Sequence, residues 1–530
     1  MTARLHYAHL GLESPAGSPE AIAAGHAISL HGGDMQSHPD PIEREHISPY
    51  RSAHARAEPG PAWWEITGAN CEVKPTLPPV PVDPPELGTL LRAAGFFQEI
   101  LPEATHATIT APGPATPGGD VVITARRPGP LGNLIRYEQT HTVDAPLTVT
   151  VTPQAWGGVL ITADADDCPL PVSSGAVVAA INDHPTASQW VVASTPADGG
   201  AHLFPPTYLE DGDTLCSQTT LAGGDDLDIW ARHTGEWADG IEITRDGAAL
   251  SVIGRVIDIP TGVDGLGVAE MINSHPLLSQ LLVAQPGLPG TTHVDGDGTL
   301  AGGSNVGDPG TYRYTPTDAP NATGNRESAT FSLTEGPDGA QYTAYGCRFG
   351  QLTLGQEAPN SKLMLGCSAL GGYLPVADAA VPPWTDPPGT PLVRCVEAYI
   401  AGHPGCVRSW QLSLPYEVVA RPCIGEAGYH WPPNIVLPAG SNSTLTVEVE
   451  MAAPTARDFF GQWHSAELQP ETFFRYENAD SSLLIAIGRV QWGQPRAEWG
   501  DITLLTLTGH LSRSATLECE VQLTFEQGGI

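Results

Sequence analysis

The stretch Thr444-Leu-Thr-Val-Glu-Val-Glu-Met451 alternates apolar and polar residues along its whole length. Successive side chains of a β-strand point to opposite faces of a sheet, so this pattern predicts a strand with one buried and one wet face. Similar stretches recur through residues 328–525, and turn-forming Gly, Pro, Asn and Asp residues separate them. The sequence therefore predicts a mainly β protein built from antiparallel barrels or sandwiches.

The composition of the chain limits both its size class and its partners. At about 150 residues per domain, 530 residues suggest about three or four domains. The 24 basic and 59 acidic residues give a net charge of −35, and the only lysines are Lys74 and Lys362. Proteins that wrap nucleic acid neutralise its phosphates with clustered Lys and Arg, so the sequence excludes that class.

Membrane and export signals are absent from the sequence. No stretch of about 18 uninterrupted apolar residues occurs, and the first residues lack the apolar core of a signal peptide. We therefore expect no membrane insertion and no Sec-type export. The nine cysteines are an odd number and include no Cys-x-x-Cys pair. They are predicted to be buried free thiols of a protein made in a reducing cytoplasm.

A repeated pattern divides residues 113–304 into two modules. Three short blocks of the first copy reappear in the same order in the second. The matched blocks are Ile123–Ile135 with Ile229–Ile241, Ile181–Gln189 with Ile272–Gln280, and Leu221–Gly224 with Leu300–Gly303. Matched blocks in one order indicate two homologous modules, copy A at residues 113–224 and copy B at residues 225–304.

Helices are predicted at only a few places. Within the modules, Ser174–Asn182 has helical spacing after a serine cap, and Gly267–Asn273 is its weaker counterpart. Each module is therefore predicted to be a small α+β fold that consists of strands, glycine turns and a short helix. Outside the modules, Pro84–Phe97 predicts an amphipathic helix that ends near Gly95.

Several short motifs group residues that bind metals elsewhere. The segment His38-Pro-Asp-Pro-Ile-Glu-Arg-Glu-His46 holds two prolines and no helical His-x-x-x-His spacing, so we predict a surface loop instead of a zinc site. Asp164-Ala-Asp-Asp167 and Asp295-Gly-Asp297 lack the spacing and closing glutamate of a calcium loop, which favours turns. His184 and His275 occupy equivalent repeat positions and are predicted to end helices.

Catalytic motifs are incomplete throughout the sequence. Gly366-Cys-Ser-Ala-Leu370 lacks the Gly-x-Ser-x-Gly elbow, and no P-loop or complete Gly-x-Gly-x-x-Gly occurs. The sequence leaves open whether two carboxylates have the spacing of a glycosidase active site, because 59 acidic residues provide many possible pairs. Trp63 and Trp64 are predicted to be barrel or interface anchors and not a sugar platform. We predict that the protein is not an enzyme, and we assign no catalytic, cofactor-binding or metal-binding residue and no cofactor.

A set of stretches outside the modules follows an order typical of one protein family. They are Pro85–Phe97, Tyr312–Thr317, Ser328–Leu333 with the turn Gly336–Gly339, Tyr345–Gly350, Trp410–Leu414, Asp458–Phe460 and Phe473–Glu477. In this order they resemble the tail tube proteins, or major tail proteins, of long-tailed bacteriophages. The modules resemble a small domain of phage tail sheath and other tail proteins, although Pro130-Leu131 and Asp239 depart from its opening pattern.

The resemblance implies two tandem antiparallel β-barrel domains of the tail-tube type. The first barrel is discontinuous, at residues 1–112 and 305–385, and the second spans residues 386–530. The Pro-rich stretch Val381–Pro391 would connect the two. The inserted modules would decorate the outside, where an insertion is tolerated if its ends meet at the surface.

The resemblance also implies a structural role in the virion. The chain would self-associate into rings, with a trimer favoured and a hexamer open, and the rings would stack into a tube that conducts phage DNA during ejection without binding it specifically. Other tail proteins (tape measure, terminator and distal tail) would be partners. The protein would be made in the host bacterial cytoplasm and end in the virion tail. The alternative is a tail-tip or adsorption protein that binds the host surface.

Overall fold

The structure of the protein is a computed structural model. The described residues are 6–14, 16, 18–21, 27–28, 30–31, 34–39, 42–46, 54–58, 62–74, 86–102, 106–111, 120–140, 142, 146–155, 157–164, 173–195, 204–209, 216–221, 227–233, 238–247, 249–253, 255–275, 277–287, 298–301, 309–316, 327–335, 340–376, 392, 394–401, 403–422, 429–436, 442–450, 458–477, 481–498, 503–515, 517 and 519–527.

Strands dominate these residues, which confirms the prediction of a mainly β protein. The strands are β1 (His6–Leu12), β2 (Ala27–Ile28), β3 (Leu30–His31), β4 (Asp34–Pro39), β5 (Ile42–His46), β6 (His54–Glu58), β7 (Ala62–Glu72), β8 (Phe96–Pro102), β9 (His106–Ala111), β10 (Val121–Pro128), β11 (Ile135–Thr140), β12 (Thr148–Pro153), β13 (Val159–Asp164), β14 (Val191–Ser194), β15 (Phe204–Tyr208), β16 (Gln218–Leu221), β17 (Leu227–Ala231), β18 (Glu242–Gly247), β19 (Ser251–Ile253), β20 (Val256–Pro260), β21 (Leu282–Pro286), β22 (Gly298–Thr299), β23 (Pro309–Pro316), β24 (Ala329–Glu335), β25 (Gln341–Gln356), β26 (Met364–Tyr373), β27 (Cys395–Ile400), β28 (His403–Pro404), β29 (Val407–Leu414), β30 (Glu417–Pro422), β31 (Tyr429–Val436), β32 (Thr444–Glu450), β33 (Thr472–Glu477), β34 (Ser481–Ile487), β35 (Arg489–Trp492), β36 (Arg496–Glu498), β37 (Leu504–Ser512) and β38 (Val521–Gln527).

The α-helices in this part of the chain are short. They are α1 (Glu86–Ala93), α2 (Ser174–Asp183), α3 (Ala187–Trp190), α4 (Gly265–Ser274), α5 (Leu278–Leu281) and α6 (Phe459–Ser465). Helices α1, α2 and α4 confirm the three helices predicted from the sequence. Ser173 caps α2 as predicted, because its Oγ accepts a hydrogen bond from the backbone N–H of Ala176 at 3.2 Å.

The chain divides into two compact units. Unit 1 comprises residues 1–99 and 312–526, and unit 2 comprises residues 100–311 and 527–530. Unit 1 contains a 13-stranded sheet with the order β2-β1-β24-β25-β29-β32-β37-β35, in which β26, β7, β3 and β4 extend from β25 and β36 pairs with β37. A seven-stranded sheet has the order β28-β27-β33-β34-β38-β23-β8.

The long strand β25 joins the two predicted barrels into one sheet. Its first part pairs with β24, and residues 352–356 then pair with β29, which lies beyond the connector 381–391. The seven-stranded sheet also mixes the two halves, because β23 follows β38 in its order. Among the described strands both sheet orders are open, so the prediction of two tandem barrels is not confirmed. The connector itself lies outside the described residues.

One hydrophobic core lies between the two sheets of unit 1. Trp410 on β29 stacks on Phe474 on β33, with ring centroids 4.3 Å apart and an interplanar angle of 7°. The indole N–H of Trp410 donates to the hydroxyl of Tyr476 at 2.7 Å, and that hydroxyl donates to Gln356 Oε1 at 2.8 Å. Helix α1 buries Leu90 and its leucine neighbours in the same core. Unit 1 is therefore a two-layer β structure.

Unit 2 contains two copies of one fold. Copy A runs from β9 to β15 with α2 and α3, and copy B runs from β16 to β22 with α4 and α5. The sheets β14-β10-β9 and β12-β13-β11-β15 of copy A match β21-β17-β16 and β19-β20-β18-β22 of copy B. In both copies a parallel strand pair, β11 with β13 or β18 with β20, lies inside the four-stranded sheet.

The structure moves the start of each module. Strand β9 pairs with β10 and β16 pairs with β17, so the first strand of each copy precedes residues 113 and 225. The matched tetrapeptides do not share a position, since Leu221 lies in β16 and Leu300 follows β22. The counterpart of Leu300 is Leu209. The Leu300 N–H donates to the Ile241 carbonyl, and the Leu209 N–H donates to the carbonyl of the matching residue Ile135, both at 2.9 Å. The identity of the two tetrapeptides therefore does not mark equivalent positions in the fold.

The chain enters and leaves unit 2 through two neighbouring strands of unit 1. Strand β8 leads into unit 2 and β23 leads out of it, and the two are hydrogen-bonded neighbours at one end of the seven-stranded sheet. An insertion at such a point leaves the order of the other strands unchanged.

Candidate functional site

Helix α6 carries a group of apolar side chains at the surface of unit 1. Phe459, its first residue, is buried in the core, whereas Phe460, Trp463 and Leu468 are exposed. We call these three exposed residues the aromatic patch. Residues three apart lie on one face of a helix, so Phe460 and Trp463 are neighbours. Exposed apolar residues that cluster mark interaction sites more often than single ones do.

Backbone geometry fixes the ends of α6. The Asp458 carboxylate caps the helix by accepting a hydrogen bond from the Gly461 N–H at 2.8 Å. A Cβ at position 461 would lie 2.4 Å from Asp458 Oδ2, so a larger residue there would displace the capping carboxylate. The helix ends at Ala466, which has left-handed φ 55° and ψ 23°. These contacts hold Phe460 and Trp463 outward and Phe459 inward.

The aromatic patch lies beside the edge of the 13-stranded sheet. The Gln491 side-chain amide donates to the Ala466 carbonyl at 3.0 Å, and Gln469 forms a two-way backbone bridge with Val490. Val490 and Gln491 belong to β35, the last strand in that sheet order. The patch is therefore part of a sheet edge.

The seven-stranded sheet has a comparable edge at β8. This strand is last in its order, its side chain Phe97 is exposed, and its sequence FFQEILP contains no lysine. Edge strands in monomeric proteins are commonly protected by lysine or proline, because open backbone groups invite pairing with another chain. Pro102 is at the far end of this strand, so its centre is unprotected. Both sheets of unit 1 thus end in a strand with exposed aromatic side chains nearby.

A polar groove crosses the 13-stranded sheet. It encloses about 340 Å³, and its lining residues are Asn70, Thr353, Gly355, Gln356, Glu357, Met364, Gly366, Ser409, Trp410, Gln411 and Thr446. Amides and hydroxyls predominate, and some are already used: the Ser409 hydroxyl donates to Glu448 at 3.2 Å, and Thr446 and Thr508 share a hydrogen bond of 3.2 Å. Amides and hydroxyls of this kind can bind a ligand through hydrogen bonds.

The equivalent histidines of the modules hold backbone structure. Nδ1 of His184 accepts from the N–H groups of Thr186 and Ala187, at 3.2 and 3.1 Å, at the start of α3. Nδ1 of His275 accepts from the N–H groups of Leu277 and Leu278 at 3.2 Å each. Each histidine follows the end of one helix, as predicted, and also caps the next.

The asparagines that the two copies share also hold backbone structure. The side-chain amide of Asn182 donates to the Ala193 carbonyl and accepts from the Ala193 N–H, both at 2.9 Å. Asn273 makes the same pair of bonds to Ala284, at 2.7 and 2.9 Å. We call each pair an asparagine clamp. The histidines and asparagines shared by the two copies thus make contacts that stabilise the fold. From the sequence alone these residues could equally have formed a ligand site.

The remaining motifs lie apart from one another. His38 is in β4 and Glu43, Glu45 and His46 are in β5, so this segment forms strands instead of the predicted loop. Asp164 ends β13 and accepts a hydrogen bond from the Thr142 hydroxyl at 2.7 Å. The rest of its motif and all of Asp295–Asp297 lie outside the described residues. Within the described ranges no three His, Cys, Asp or Glu side chains are placed to hold a metal ion.

Trp64 and Ser368 have structural surroundings. Trp64 is buried and stacks on Tyr373, with ring centroids 5.3 Å apart, so it is a core anchor. The Ser368 hydroxyl on β26 donates to the Gly350 carbonyl at 3.3 Å and to Gln351 at 3.2 Å. Neither contact supplies a base that could activate a serine.

The cysteines that the structure describes are free thiols, as predicted. Five are buried, but Cys395 is half-buried and Cys406 is exposed, contrary to the expectation that all are buried. Burial raises the pKa of Cys395 to about 11, which keeps this thiol protonated and unreactive at neutral pH. Cys168 and Cys423 lie outside the described residues.

Comparisons with known proteins give no family. No protein-family model matches the chain, and no curated protein matches it. Among the residues that the structure describes, no helix is long and apolar enough to cross a membrane. The aromatic patch was not predicted as a site, although the family stretch Asp458–Phe460 lies at its start; its only sequence signal is the spacing of Phe460 and Trp463 within a short helix.

Proposed function

We propose that the protein is the tail tube subunit of a long-tailed bacteriophage, a structural virion protein that assembles into stacked rings through which DNA passes during ejection. The observation that supports this most is the pair of sheet edges in unit 1, where the aromatic patch lies beside β35 and Phe97 lies on β8. Different edges that fit each other give a heterologous contact, and repetition of such a contact around a closing rotation gives a ring.

The finer architecture belongs to the same proposal. In the assembled ring, β8 and the aromatic patch beside β35 would contact neighbouring subunits, so that unit 1 completes two barrel-like walls. A trimer is favoured by the two-part sequence of unit 1, and a hexamer is the alternative. The modules of unit 2 would lie on the outside, since both ends of the insertion leave through neighbouring strands.

The charge of the chain suits a DNA conduit. A net charge of −35 repels phosphates, whereas clustered lysine and arginine would retain DNA by releasing its counterions. DNA would then slide through the bore without specific binding. The expected partners are the tape measure, terminator and distal tail proteins, and the expected location is the virion tail.

Electron microscopy of the purified full chain tests the proposal. Rings or tubes of constant bore are expected from the wild type. Trp463→Glu should prevent ring formation, because a buried carboxylate at an apolar contact is costly, whereas Trp463→Phe should retain it. Circular dichroism should show both variants folded. A wild-type chain that stays monomeric when other tail proteins are added would overturn the proposal.

A further inference from the structure

The two copies in unit 2 differ in what covers one equivalent face. In copy B this face consists of Leu277, Gln280, Leu281 and Val283, and all four are buried. Leu281 is 7% exposed and Val283 is 1% exposed. The face combines the end of α5 with the edge strand β21, so an element from outside copy B's own helix pair must shield it.

Copy A presents the same face without that cover. Its residues Thr186, Gln189, Trp190 and Val192 stand at the equivalent positions and are exposed. Trp190 is 37% exposed and Val192 is 40% exposed. The exposed tryptophan at the end of α3 and the exposed valine on the edge strand β14 are apolar surface that water solvates poorly. We call these four residues the open face of copy A.

The turn after β12 in copy A lies against the helix pair of copy B. This turn of copy A contains Gly157, and a Cβ at Gly157 would lie 3.4 Å from Asn273 Cβ on α4. That distance is van der Waals contact, so the hairpin turn of copy A rests against the helix pair of copy B. The copies are therefore related head to tail, with a turn of one on the helices of the next.

Copy B has a matching hairpin turn with an exposed side chain: Ile253, which ends β19 opposite Val256 on β20, is 76% exposed. This turn is shorter than that of copy A, since residues 254–255 connect its strands and residues 154–158 connect those of copy A.

We propose that the Ile253 turn of one chain packs on the open face of copy A in a second copy of this chain. The partner is inferred from the molecule itself, because a hairpin turn of one module already lies against the helix pair of the other module inside unit 2. The contact is heterologous, so it links chains in rows or rings. The inference goes beyond the proposed function and does not need it, since any repeated assembly of this chain would use it.

Photo-crosslinking of the full chain tests the contact. Benzoylphenylalanine is placed at position 253, and chains labelled with ¹⁴N and ¹⁵N are mixed before irradiation and mass spectrometry. We expect cross-links to residues 182–192 in peptides of mixed isotope composition, which shows contact between chains. Trp190→Glu should reduce their yield about tenfold, and Trp190→Leu, which copies Leu281, should retain it. The same photoreactive residue at the exposed position Val376 is the control and should not reach residues 182–192.

Two outcomes would overturn the inference. They are cross-links confined to chains of one isotope composition, which place the contact within a chain, and a yield that Trp190→Glu leaves unchanged. Electron microscopy of the same samples separates this inference from the proposed function. Rings without the cross-link contradict only the module contact, and the cross-link without rings contradicts only the tube.

Discussion

Asn182 and Asn273 each join a helix to the edge strand that follows it, through two hydrogen bonds from one side chain. The amide is suited to this role because it carries a donor and an acceptor side by side, matching the N–H and C=O of one residue. Ala193 and Ala284 are thereby held at the same point of both copies. The clamps make the register of β14 and β21 depend on single residues.

Removing a clamp should loosen its strand. We expect Asn273→Ala to lower local stability by about 2 kcal/mol, at about 1 kcal/mol per lost bond, which speeds amide exchange near Ala284 about 30-fold. Asn182→Ala should have a smaller effect, because Asn182 is exposed and Asn273 is half-buried. Hydrogen exchange with mass spectrometry measures both. Asn273→Asp, which keeps the acceptor and loses the donor, should fall between wild type and alanine; equal exchange in all variants would contradict the role.

Tyr208 should make stability depend on alkaline pH. Burial raises its pKa to about 12, against about 10 in the unfolded chain. The stability due to the neutral phenol is complete below pH 10 and is lost as pH rises towards 12, by up to about 1.4 kcal/mol per pH unit. Tyr208→Phe removes this titration but keeps the ring under the Arg136 guanidinium, 5.4 Å away. Urea unfolding at pH 8 and pH 11 should show a smaller loss in the variant; equal losses would contradict the assignment.

At the scale of elements, α6 depends on its two ends. Ala466 adopts a left-handed conformation that costs a residue with a Cβ about 1 kcal/mol. We expect Ala466→Gly to stabilise unit 1 by roughly 0.5 kcal/mol after the added entropy of the unfolded chain. Asp458→Ala should destabilise it by about 1 kcal/mol through loss of the cap. Denaturant unfolding measures both, and a destabilised Ala466→Gly variant would show that the turn is not strained.

The sequence predicts strands and helices well where apolar and polar residues alternate or recur at a regular spacing. Thr444–Met451 predicts β32 to within one residue, and the serine cap and glycine end predict α2 and α1. It does not predict which strands are neighbours, because β25 pairs with β24 and β29 in turn through backbone groups that every residue carries. The sequence does not predict the open face of copy A either. Trp190 and Leu281 are both apolar residues, and they differ only in how far the structure buries them.

For the whole molecule, the placement of unit 2 as an insertion makes a direct prediction. Replacing residues 103–308 with a short Gly-Ser linker should leave unit 1 folded, because β8 and β23 are already neighbours and keep their places in the sheet. Circular dichroism and the thermal transition of the shortened chain measure this. A shortened chain that aggregates or shows no cooperative transition would mean that unit 1 needs unit 2 to fold.

The neighbouring strands β8 and β23 also determine how the chain responds to mechanical load. Tension that the chain of the insertion carries into unit 1 reaches it through β8 and β23, at the end of the seven-stranded sheet. Peeling an end strand breaks its hydrogen bonds one after another, whereas shearing a central strand would break them together. Under such a load β8, as the end strand, would be the first to separate from the sheet, before β23 separates from β38.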